Sequence, residues 1–140
     1  MNDFAGTLAR YRARPPEPLR QVLAQVGAEL ESPANIQLWQ QGIERPDPVN
    51  GQEAYSSFAG FSRRMVSAAA TAVSECDGEA RFAANDLEQA LEPARVAAWL
   101  ATVSATDGAT ERHFSAAEFL EKGMSQAAAQ RSARFRSTAP

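Results

Sequence analysis

The chain has 140 residues, 44% of them hydrophobic, with one cysteine and a formal net charge of −3. That length suits one compact domain that buries roughly two-thirds of its unfolded surface, so its core needs no disulfide or structural metal. The acidic balance argues against a nucleic-acid binder, lone Cys76 excludes an internal disulfide, and with no membrane-length apolar run or signal peptide the expectation is a cytoplasmic protein.

Phe4, Leu8 and Tyr11 stand at helical spacing, and Pro15, Pro16 and Pro18 end that segment because proline lacks the amide proton. Leu19, Val22, Leu23, Val26 and Leu30 then form an apolar stripe of helical period, with Pro18 suited to the first turn. Ser32-Pro33 supplies a cap and a first-turn proline for a short helix carrying Ile36, Leu38 and Trp39, which Gly42 terminates. Residues 1–45 thus read as an N-terminal helical subdomain, and residues 46–51, rich in proline, as a linker loop.

Asn50 at the end of the linker and Glu53 stand at capping-box spacing, and the second part, residues 52–130, begins with a long helix whose apolar face includes Tyr55, Phe58, Phe61, Met65, Val66 and Ala69. A short helix follows from about Ala83 to Leu91, and another opens at Pro93 with Val96, Trp99, Leu100 and Val103 on one stripe. Ser115 and Glu118 form a capping-box pattern before Phe119, Leu120, Met124 and Ala127. Residues 131–140, with Arg131, Arg134 and Arg136, are expected to be a flexible basic tail. The fold class is therefore all-α with six or seven helices.

An internal repeat organises this second part. Val73-Ser74-Glu75-Cys76-Asp77-Gly78 recurs as Val103-Ser104-Ala105-Thr106-Asp107-Gly108, and each copy runs on to a phenylalanine and then to an acid followed by an apolar residue. The tandem of helix, acidic loop and helix over about residues 52–126 resembles an EF-hand pair. In that family a twelve-residue loop offers oxygens at its first, third, fifth and twelfth positions and a glycine at the sixth. The resemblance implies Glu75, Asp77, Glu79 and Asp86 as metal ligands in the first loop, and Asp107, Glu111 and Glu118 in the second. Departures are present: Ala80 and Arg112 hold the sixth positions and Ala109 the third position of the second loop. A metal-free pair, closed by Phe82 and Phe114 packing across the loops, is the expectation. No cofactor is required; an ion held there would be a divalent cation, calcium or magnesium, with calcium the one the family resemblance implies. The alanine-rich helix, Asp-Gly and the acid opening the next helix also resemble tellurite-resistance-B-like helical domains.

Other chemistry is thin. The sole histidine, His113, has no evident nucleophile and orienting acid beside it, and Cys76 lies between Glu75 and Asp77, a setting that discourages a nucleophilic role. Without a phosphate loop, zinc spacing or nucleophile elbow, the chain is not expected to be an enzyme. The expected role is a small adaptor or regulatory protein that binds a protein partner through Phe58, Phe61 and Met65 on the long helix, unless the helix carrying Leu19, Val22, Leu23 and Val26 fills that groove itself. The alternatives are a calcium sensor or buffer, and a homo-oligomeric component of a phage or secretion assembly.

Overall fold

The structure is a computed structural model that describes residues 17–45, 52–106 and 115–138, with residues 104–106 and 134–138 as backbone alone. The described residues form six α-helices and no strand: α1 (Glu17–Leu30), α2 (Pro33–Trp39), α3 (Gln52–Ala72), α4 (Ala83–Ala90), α5 (Pro93–Thr106) and α6 (Ala116–Thr138), with a 3-10 turn over Gly78–Phe82. The all-α expectation holds. The helix expected around Phe4, Leu8 and Tyr11 lies outside the described residues, as do the linker and the cap expected at Asn50.

Helix α1 buries Leu19, Val26 and Leu30 completely, with Val22 and Leu23 half-buried beside them. Its end passes into α2 through Ser32, whose hydroxyl accepts the Asn35 amide at 3.5 Å while Pro33 opens the first turn. Gly42, just past the end of α2, has φ +131°, a conformation costly for a residue with a Cβ. Trp39 at the end of α2 meets Phe58 edge-on at 5.3 Å between ring centres and Phe61 at 5.0 Å. Its indole nitrogen donates to the Ser57 hydroxyl at 3.1 Å, which satisfies the polar atom of an otherwise buried ring. The Gln40 amide donates to the Leu100 carbonyl at 3.0 Å and ties this corner to α5.

Helix α3 buries Ala54, Phe58, Phe61, Met65 and Ala69, a stripe spaced by three and four residues, against α1, α2 and α4. The most extensive helix pairing is α4 with α6. Their close approach depends on Gly123: a Cβ placed there would stand 2.7 Å from the Ala90 Cβ and 2.9 Å from the Ala90 Cα.

The start of α6 is satisfied in two ways. The Glu118 amide donates to the Ser115 hydroxyl at 3.2 Å, and the Ser115 amide donates to the Glu118 carboxylate at 2.9 Å, so the predicted capping box is present in both directions. A third donor, the Ala116 amide, reaches the Glu31 carboxylate at 2.8 Å, so the end of α1 closes the start of α6. The expected break at residue 131 is absent. Helix α6 continues to Thr138, and the Arg131 side chain is only 15% exposed.

Candidate functional site

The acidic segment between α3 and α4 was the strongest chemical signal in the sequence, and the structure uses it otherwise than the EF-hand resemblance implies. Asp77 is extended, Gly78 turns the chain with φ +69°, and the 3-10 turn runs directly into α4. The left-handed residue is therefore Gly78, two positions before Ala80, which sits inside the 3-10 turn. This places Asp86 in the first turn of α4 with no exposed surface, while Glu75 and Asp77 are exposed.

Asp86 and Glu79 do come together, but around a cation from the end of the chain. Arg131 reaches the Asp86 carboxylate at 2.5 Å through one terminal nitrogen and Glu79 at 2.9 Å through the other. Its guanidinium also lies 4.1 Å from the centre of the Phe82 ring, where Arg81 approaches at 4.7 Å. Burial of a carboxylate demands such a partner, and α4's N-terminal dipole favours the same charge. Among the described residues no three or more His, Cys, Asp or Glu side chains converge as a metal site requires. In this arrangement Glu79 and Asp86 face Arg131, while Glu75 and Asp77 are exposed. Glu118 serves the capping box, and Asp107, Glu111, His113 and Phe114 lie outside the described residues.

The expected partner face is divided. Phe58, Phe61 and Met65 are exposed by 2%, 1% and 5%, because Trp39 and α1 cover the side of α3 on which they lie. The face is apolar as expected, but the N-terminal helices occupy it. Phe58 alone of the three also floors an open cleft of about 490 Å³ along the other side of α3, with Ile43, Tyr55, Ala59 and Val66 in its walls and Arg63 and Glu88 among its lining residues.

A second cleft, of about 340 Å³, runs between α5 and α6 and was not foreseen. It is lined by Arg95, Trp99 and Thr102 from α5 and by Phe119, Lys122 and Gln126 from α6. The signal was in the spacing, since each trio recurs at three and four residues and so shares a helix face. Trp99 and Phe119 lie 5.6 Å apart, and the Arg95 guanidinium sits 4.7 Å from the Phe119 ring centre. Arg95 also donates to the Ala90 carbonyl at 2.7 Å, at the C-terminal end of α4 where a cation is favoured. Burial holds the Arg95 guanidinium below its usual pKa, against the opposing charge of Glu92.

No family model matches the chain, and no match to it was found among curated proteins or solved structures. Among the described residues no helix is long and apolar enough to cross a membrane.

Proposed function

We propose that the protein is a small non-enzymatic binding module, and that its partner is a protein segment presenting a few apolar side chains to the cleft along α3. The observation that carries this reading is the cleft itself: about 490 Å³ of space floored by Phe58 and Ile43, beside a long helix whose Tyr55 and Val66 remain half-buried. Volumes of a few hundred cubic ångströms with apolar walls are typical of recognition sites, and this one takes two or three side chains rather than a whole helix. Arg63 and Glu88, both exposed, bring charges of opposite sign to the rim and offer orientation without dominating affinity.

Nile red, an uncharged apolar dye, tests the cleft without a known partner. Saturable fluorescence enhancement by the folded protein is expected, with its loss in Val66→Glu at unchanged helical circular dichroism. No enhancement by the wild-type chain, or equal enhancement by the variant, overturns the assignment.

A further inference from the structure

We propose that the cleft between α5 and α6 is a binding site for a small aromatic carboxylate, separate from the apolar cleft along α3. Its lining residues include two cations, Arg95 and Lys122, and no acid, in a chain whose net charge is −3. Charge complementarity therefore selects an anion. Arg95 forms no ion pair with a carboxylate among the described residues, and one terminal nitrogen is engaged by the Ala90 carbonyl, which fixes the fork and leaves its remaining donors for a ligand. A guanidinium held this way on the Phe119 ring is already oriented for the two-pronged hydrogen bonding that carboxylates accept.

The rest of the cleft selects a flat apolar body. Trp99, Phe119 and Ala98 supply its apolar wall, and the Gln126 amide stands among the lining residues as a further polar group, while the Thr102 hydroxyl donates to the Trp99 carbonyl at 2.6 Å. Trp99 and Phe119, with ring centres 5.6 Å apart, form an aromatic wall against which a thin ring packs better than a bulky aliphatic group. At about 340 Å³ the space is at the small end of ligand sites, which typically run from about 300 to 1,000 Å³.

The test titrates the 140-residue chain with benzoate, benzyl alcohol and inorganic phosphate, following backbone amide shifts of Thr102, Lys122 and Gln126 by NMR. Benzoate is expected to saturate these shifts, with benzyl alcohol and phosphate each binding about tenfold more weakly or worse, the loss expected when a charge-assisted hydrogen bond or an apolar wall goes unused. Gln126→Glu, an exposed position on the rim, places a like charge beside the carboxylate and is expected to weaken benzoate about tenfold with an unchanged melting temperature. Arg95→Gln is expected to weaken it further; should that variant unfold, Gln126→Glu decides alone. Absence of saturable benzoate shifts, equal binding of benzyl alcohol or phosphate, or indifference to Gln126→Glu overturns the proposal.

Discussion

Arg131 is the residue on which local electrostatics turn. It partners Asp86, which has no exposed surface, and Glu79, whose side chain is 42% exposed, so the two contacts differ in weight. The outer contact is screened by water and adds little. The inner one offsets the desolvation of a buried charge, and removing the arginine leaves that carboxylate without its cation. Arg131→Met should therefore lower unfolding free energy by on the order of 3 kcal/mol, measured by urea titration. Arg131→Met combined with Asp86→Leu should recover much of that loss, because no charge is then left buried. A loss in the double variant equal to that in the single would show that packing, not charge, is what Arg131 contributes. None of this was legible in the sequence. Asp86 and Arg131 are 45 positions apart, and nothing at either position names the other. The capping box was legible because Ser115 and Glu118 are three residues apart and complete each other locally.

At the level of elements, the apolar stripes of α1, α3 and α5 were readable because burial follows helical period: Leu19, Val26 and Leu30, then Phe58, Phe61 and Met65, then Val96, Trp99 and Leu100 are all buried. Which stripe covers which was not readable, since any apolar face satisfies any other to first order. Hence the face of Phe61 and Met65 was open in the sequence to a partner or to the stripe of Leu19, Val22, Leu23 and Val26, and α1 and α2 cover it. Gly123 carries more information than its position in a helix suggests. Glycine costs a helix interior about 1 kcal/mol relative to alanine, so Gly123→Ala would stabilise an isolated helix. Here the added methyl meets the Ala90 backbone, which cannot move as a side-chain tip does. Overpacking of this kind costs about 1–3 kcal/mol, so the net change should be destabilising. A melting temperature raised by Gly123→Ala would show that α4 and α6 separate easily at this crossing.

For the molecule as a whole, the buried side chains from Leu19 to Met124 form one contiguous cluster that draws on all six described helices. Such a core should unfold in one step. Tryptophan fluorescence samples two parts of it, Trp39 under α3 and Trp99 beside α6, and its urea transition should coincide with that of helical circular dichroism. Separate midpoints would mean that the N-terminal helices come away independently. Millimolar calcium should leave the thermal transition unmoved, because Asp86 and Glu79 face Arg131 and Glu75 and Asp77 point to water; a rise of several degrees would show that the acidic segment rearranges around an ion.

The carboxylate of Glu31 and the Ala116 amide it accepts are 85 positions apart. During synthesis, α1 leaves the ribosome long before the helix whose start it closes, so the early helices must wait with much of their apolar surface uncovered. A nascent chain stalled before residue 116 thus leaves that apolar surface open to chaperones and to aggregation.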